Sequence, residues 1–223
     1  IDEKTNSIIV NKIEEECTKF KDRSAEFQKG FTGTAPIPYT ILAGTYLVDC
    51  EPKIFFEWKR EDEKFIQLST KKKANFPELK IKEMDNPNVN AESIIVAIST
   101  TRRIKKHQLK DFGEQDIIEI YLDDCKDNNI TYIKQLQNYR KVILDELEAL
   151  GRKNYPHLNQ INLVASIPSC MSLEIGRMIA QNNNRVKKIV AYHFVNQGTK
   201  LYPFGIAVTE SQGQYKKGEL IQN

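Results

Sequence analysis

Thr34-Ala35-Pro36-Ile37-Pro38-Tyr39-Thr40-Ile41-Leu42-Ala43-Gly44 and Ser166-Ile167-Pro168-Ser169-Cys170-Met171-Ser172-Leu173-Glu174-Ile175-Gly176 are two copies of one pattern. A proline opens each and a glycine closes it at a common offset, since 168 − 36 and 176 − 44 are both 132. An apolar strand follows both times, Ile54-Phe55-Phe56-Glu57-Trp58 and then Ile189-Val190-Ala191-Tyr192-His193. A second strand comes after each, Phe65–Leu68 and Phe204–Val208. Two related halves predict a pseudo-twofold molecule with a shared cleft.

Working outward, Ile9, Ile13, Cys17, Phe20 and Phe27 recur at helical spacing, which predicts an amphipathic helix over about Asn6 to Phe27, ended by Gly30 and Gly33. Pro36 and Pro38 lead into a short buried helix over Tyr39–Leu47, and the aromatic strands after it form a hairpin around Arg60-Glu61-Asp62-Glu63. Residues 1–73 thus make a first lobe, 74–91 a linker with prolines and no sustained period, and 92–223 a second lobe. The triplet Lys71-Lys72-Lys73 reads as a solvated turn.

In the second lobe strands and helices alternate: Ser93–Ser99 strand, a helix near Ile104–Phe112, Ile117–Leu122 strand, a helix over Ile130–Leu150, Ile161–Ser166 strand, a helix over Ser169–Gln181, then the closing hairpin. This order predicts an α/β fold with a mostly parallel sheet, helices on both faces and an antiparallel pair at one edge. The first lobe holds only the last part of that series, so it is truncated.

Composition narrows the function. A formal net charge of +3 is too balanced for a general nucleic-acid coat but suits one basic cleft. Cys17, Cys50, Cys125 and Cys170 form no CxxC and no metal spacing, and His107, His157 and His193 are far apart, so reduced thiols, a cytoplasmic location and no bound metal or cofactor are expected. No apolar run approaches the roughly 18 residues that cross a bilayer, so no membrane partner is expected. The chain opens without Met and is read as a piece of a longer protein.

Ligands of open α/β sheets bind beyond the carboxyl ends of the strands. That rule selects Ser99-Thr100-Thr101-Arg102-Arg103, whose hydroxyls and guanidinium groups suit a phosphate, or else form a helix cap followed by solvated cations. It also selects Pro168 and Ser169, and the repeat adds Pro36, Pro38 and Tyr39. Trp58, beside Lys59 and Arg60, offers a stacking surface for a base or a packed core ring. No GxGxxG follows Ser99, which argues against an NAD-type enzyme, and Asp123-Asp124 then read as a turn and cap. The rival constellation is Asp49 followed by Glu57-Trp58-Lys59, the order of a Mg²⁺-dependent nuclease core. Cys170 has no assignable base and reads as a small residue beside the loop.

Leu163-Val164-Ala165-Ser166-Ile167-Pro168-Ser169 with Ser172–Arg177 and Val190-Ala191-Tyr192 resembles the SAVED domain, and Gly33–Pro38 through Ala43-Gly44 resembles the matching first-lobe loop, most like the members fused to an HNH nuclease. The resemblance implies two fused CARF-like (Rossmann-like) lobes that sense a cyclic oligonucleotide in CBASS anti-phage defence. It implies a cyclic dinucleotide such as a cyclic GMP-AMP isomer, bound between the lobes, and homo-oligomers that switch on a fused DNA endonuclease lying outside this chain. By this reading the chain itself is no enzyme. Pro36, Pro38, Tyr39, Pro168, Ser169 and Thr100–Arg103 match the family's loops, and Trp58, Lys59 and Arg60 are added from the hairpin alone. Because the Thr100–Arg103 loop has no first-lobe partner, the pocket is expected to be only approximately two-fold.

Overall fold

In the computed structural model, which describes residues 1–23, 26–71, 75–181, 188–210 and 216–223, both proline-led segments begin helices: α2 (Ile37–Tyr46) and α4 (Ser169–Gln181). Proline suits these starts because its fixed φ is already helical and the first-turn amides lack intrahelical acceptors. The two helices cross where the repeats end. A Cβ on Gly44 would run into the Leu173 carbonyl oxygen, and one on Gly176 would run into that of Ile41. Leu173 and Ile41 are themselves separated by the repeat offset of 132, so the contact is reciprocal, as at the axis of a symmetric dimer. Only a residue without a side chain fits at either position.

Around this crossing the strands repeat as well. In the first lobe β1 (Gly30–Phe31) runs parallel to β2 (Ile54–Lys59), and β2 runs antiparallel to β3 (Lys64–Gln67). The second lobe's sheet contains β4 (Lys80–Lys82), β5 (Ser93–Ser99), β6 (Ile117–Tyr121), β7 (Gln160–Ser166), β8 (Lys188–His193), β9 (Phe204–Ala207) and β10 (Leu220–Gln222), in the spatial order β10-β9-β8-β7-β5-β6-β4. There β7 is parallel to β8 and β8 antiparallel to β9, the same relation as β1-β2-β3. Among the described residues the first lobe has no strands matching β5 and β6.

Strand β5 explains the layers. Ile94, Val96 and Ile98 face the main core with Leu136, Ile143, Leu147 and Leu150, and Ile95 and Ala97 face a second cluster with Leu109, Phe112 and Tyr202. A strand covered on both faces carries an unbroken apolar run, as Ile94–Ile98 does. The long helix α3 (Ile133–Lys153) begins three residues later than its periodicity predicts, because Tyr132 is extended and bridges Ser69, and it also ends three residues later. The helix expected near Ile104–Phe112 is a 3₁₀ helix over Lys106–Phe112.

Helix α1 (Glu3–Arg23) stops short of Phe27, which is exposed, while Ser24 and Ala25 lie outside the described residues. Three short strands escape periodicity altogether. These are β1, which holds Gly30, the expected helix stop, the edge strand β4 inside the stretch expected to link the lobes, and β10. Lys72, Lys73 and the boundary after residue 73 lie outside the described residues.

A buried polar network ties α4 to the first lobe. The Arg177 guanidinium donates to the carbonyls of Leu47 (3.0 Å) and Val48 (3.1 Å) and to Glu174 Oε1 (2.6 Å), and Arg140 binds the other oxygen of Glu174. Cys17, Cys50, Cys125 and Cys170 are all free thiols. No helix among the described residues is long and apolar enough to cross a membrane.

Candidate functional site

Strands β5 and β7 end side by side, with Ser99 opposite Ser166. The Ser166 carbonyl accepts the amides of Thr100 and Thr101, both at 2.9 Å, and its hydroxyl accepts that of Arg102 at 3.1 Å. The Ser99 hydroxyl accepts the Ile104 amide at 3.0 Å. The loop is therefore pinned by its own amides, and what it presents outward is side chains. Thr101, Arg102 and Arg103 line a cleft of about 670 Å³.

The far wall of that cleft belongs to the first lobe and is made by Ala35, Pro36, Ile37, Pro38 and Arg60. A second pocket of about 400 Å³ adjoins it, sharing Pro36, Arg60, Thr101, Asp127 and Ile167 and adding Glu57, Trp58, Asn128, Pro168 and Ser169. The cleft thus runs between the starts of α2 and α4, where the repeat placed it. Its cations are Arg60, Arg102, Arg103 and Lys105, against Asp127 and Glu57. Among the described residues neither Arg60 nor Arg102 has an ion-pair partner, so both guanidinium groups are open to a phosphate. Arg103 is already engaged: its Nη2 lies 2.5 Å from Glu119 Oε2, and its guanidinium carbon sits 3.2 Å from the Tyr121 ring centroid.

Three of the residues singled out in the sequence stand away from the cleft. Thr100 is 0% exposed, its hydroxyl has no partner among the described residues, and its carbonyl accepts the Lys126 amide at 3.2 Å. It shapes the loop instead of offering a donor. Tyr39, the third residue of α2, is buried, and its hydroxyl donates to Asn6 Oδ1 of α1 at 2.9 Å. Lys59 pairs with Asp62 at 3.0 Å and Glu61 at 3.7 Å across the hairpin turn.

The acidic rival constellation is not assembled. Glu57 is 8% exposed, and its Oε1 accepts the Cys170 amide at 2.5 Å, which caps α4 from the other lobe. Burial pushes its carboxyl above the usual range, partly opposed by the Cys170 and Ser169 groups that bond it. Lys59 is turned to Asp62, and Asp49 lies exposed beyond α2. No group of three His, Cys, Asp or Glu among the described residues is placed to hold a metal ion. Cys170, fully buried beside Glu57, has its thiol pushed well up by burial and then by Glu57, which disfavours the thiolate.

The structure adds lining residues that the sequence reading passed over, among them His107, Gln108, Asp127, His193, Asn196 and Tyr202. His193 shares its strand face with Ile189 and Ala191, toward the main core, and pairs with Phe204. Burial holds its imidazole below the usual histidine range, so the ring is neutral at neutral pH.

Comparison with known proteins places this geometry in context. Residues 13–208 match the family profile described as SAVED, the SMODS-associated and fused to various effectors sensor domain. The fold is shared with the Acinetobacter baumannii Cap4 SAVED/CARF-domain containing receptor solved with the cyclic trinucleotide 2'3'3'-cAAA, at TM-score 0.62 and 15% identity, covering 94% of this chain and 44% of that one. The same receptor with 3'3'3'-cAAA matches at TM-score 0.62 and 14% identity over 94% of this chain and 44% of that one. The Moraxella osloensis Cap4 receptor matches at TM-score 0.52 and 12% identity over 90% of this chain and 40% of that one. The chain therefore spans less than half the length of these solved relatives. No protein with a curated description matches it.

Proposed function

The chain belongs to the SAVED sensor family, and from that premise we propose that the cleft between its lobes binds a cyclic oligonucleotide second messenger of bacterial anti-phage defence. One observation carries the reading. Arg60 of the first lobe and Arg102 of the second line one cleft, at the carboxyl ends of β5 and β7, without ion-pair partners among the described residues. Its volume of about 670 Å³ lies within the roughly 300–1,000 Å³ of small-molecule sites.

The finer reading is a cyclic dinucleotide such as cyclic GMP-AMP. Two phosphates match two open arginines on opposite walls, Trp58 supplies a ring for a base, and Thr101 and Ser169 supply hydroxyls. A second reading, a cyclic trinucleotide, is favoured by the ligands of the solved Cap4 receptor. Binding would raise the population of a self-associating state in proportion to the ligand's preference for that state. In the longer protein that assembly would switch on an HNH endonuclease, whose DNA would be the final target.

Titration calorimetry against cyclic di- and trinucleotides tests the core of this. Binding is expected to weaken in Arg60→Ala and Arg102→Ala, and the absence of heat with every ligand, in a folded sample, would refute it. Incubation of the chain with Mg²⁺ and plasmid is expected to leave the DNA intact. Cleavage lost on Glu57→Ala would instead restore the nuclease reading.

A further inference from the structure

Asp127 is the carboxylate common to both parts of the cleft, lining each together with Arg60 and Thr101. The other acid on these walls, Glu57, is engaged by the Cys170 amide. Asp127 is exposed, and among the described residues it accepts no hydrogen bond and enters no ion pair.

Its neighbours hold it in place. The Lys126 amide donates to the Thr100 carbonyl at 3.2 Å, and the Asn129 side-chain amide donates to the same oxygen. The Asn129 carbonyl accepts the Gln135 side-chain amide at 3.0 Å, and Asn128 is left-handed, with φ of 55°, a conformation that asparagine tolerates. Both flanks of Asp127 are thus tied down, to the loop that carries Thr101 and Arg102 and to α3. Its carboxylate is left free.

A free carboxylate works against a cleft that binds phosphates, because it repels each one that enters. It is accommodated by a ligand that also brings hydrogen-bond donors, and the bases differ in how they supply them. A carboxylate only accepts, through two oxygens side by side. The Watson–Crick edge of guanine presents N1–H beside an N2 amino hydrogen, two donors for two acceptors. Adenine and cytosine each set one amino donor beside a ring-nitrogen lone pair, and uracil sets one N–H between two carbonyls. A carboxylate therefore attracts guanine and meets a lone pair on every other base.

Resting on the cleft reading above, we propose that Asp127 is a specificity-determining residue that accepts the N1–H and N2–H groups of a guanine, so that the messenger carries at least one guanine base. Arg60 and Arg102 take the phosphates, and Asp127 reads the edge of one base.

Inosine lacks only the N2 amino group of guanine, so comparing cyclic di-IMP with cyclic di-GMP isolates the contact. The full chain, Asp127→Ala and Asp127→Asn are titrated by calorimetry with these two ligands and with cyclic GMP-AMP, cyclic di-AMP and cyclic tri-AMP. All three proteins are expected to melt alike, since Asp127 makes no internal bond among the described residues. In the parent, cyclic di-GMP is expected to bind at least about tenfold more tightly than cyclic di-IMP or cyclic di-AMP, the scale of one charge-assisted hydrogen bond, with cyclic GMP-AMP close to cyclic di-GMP. In Asp127→Ala both ratios are expected to fall to within about threefold. Asp127→Asn offers one acceptor and one donor, which suits adenine, so it is expected to shift the preference toward cyclic di-AMP. If both variants bind every ligand more tightly with all ratios unchanged, Asp127 acts by charge alone and the assignment is overturned. It is equally overturned if the parent binds cyclic di-AMP or cyclic tri-AMP as tightly as the guanine ligands, although the heat then upholds the cleft. No heat with any ligand, from folded protein, overturns the cleft reading itself and this proposal with it.

Discussion

Gly44→Ala separates two opposite expectations. Judged by helix propensity alone, the substitution lies inside α2 and should stabilise the chain by about 1 kcal/mol. The tertiary contact predicts the reverse. The new methyl group would strike the Leu173 carbonyl oxygen and stand 3.0 Å from the Arg177 amide nitrogen and 3.1 Å from the Gly176 Cα. All three are backbone atoms, so no side chain can rotate aside, and α2 and α4 must separate. Overpacking of this kind costs about 1–3 kcal/mol, and a backbone collision belongs at the upper end. Subtracting the propensity gain leaves a net loss of about 2 kcal/mol, or a melting temperature lower by about 4–8 °C for a chain of this size. Thermal and urea unfolding would measure it, with Gly33→Ala as the comparison, since a Cβ there meets only the Phe31 ring at 3.9 Å. Gly176→Ala should behave like Gly44→Ala, and the double variant should cost less than the sum, because the first methyl group already parts the helices. A Gly44→Ala protein that melts at or above the parent would refute the close crossing.

Further outcomes follow from the same geometry. Arg60→Ala and Arg102→Ala should each weaken ligand binding at least about tenfold with no change in ligand-free melting, because each loses a charged phosphate contact and no internal partner. Arg103→Ala should also lower ligand-free stability by about 1 kcal/mol, through the lost Glu119 pair and Tyr121 contact. Arg177→Ala should cost about 3 kcal/mol in denaturant unfolding, since it strips one partner from the buried Glu174 carboxylate and leaves only Arg140. Arg177→Lys should recover little, because an ammonium cannot span Glu174 and the two carbonyls. Glu57 is an acid whose folded-state pKa lies above its ordinary value of 4.5, so its ionised form is penalised by folding at neutral pH. Glu57→Gln should therefore be at least as stable as the parent at pH 7. That margin should shrink as pH falls through the window just above 4.5 and vanish below it. A margin that grew on acidification would contradict the burial of Glu57.

Much of the fold was legible because it rests on local pattern. The apolar run Ile94–Ile98 announces a strand buried on both faces, and Leu136, Ile143, Leu147 and Leu150 announce one side of a helix. Strands β1, β4 and β10 were not legible, since two or three residues are too few for a period of two to show and they exist only by pairing. Among the site residues the sequence indicated the right loops but not which side chains face outward. Thr100 and Arg102 are two positions apart on one polar loop, yet the Ser166 contacts bury the first and free the second. Tyr39 was drawn inward by Asn6, a residue 33 positions away.

The proline-to-glycine repeat by itself determined that the chain has two related halves, since duplicated residues at one fixed offset are a property of the chain alone. Only the tertiary structure showed what the glycines are for: Gly44 and Gly176 let the two helix backbones touch, and that close crossing brings the starts of α2 and α4 to a common cleft. It also decided how that cleft departs from symmetry. Glu57 of the first lobe caps α4, whereas on the second lobe's β8 it is His193 that shares the core-side face and lines the cleft. Such differences are written in the sequence as ordinary substitutions. They acquire meaning only when folding sets the two halves face to face, because recognition depends on which groups converge on one ligand.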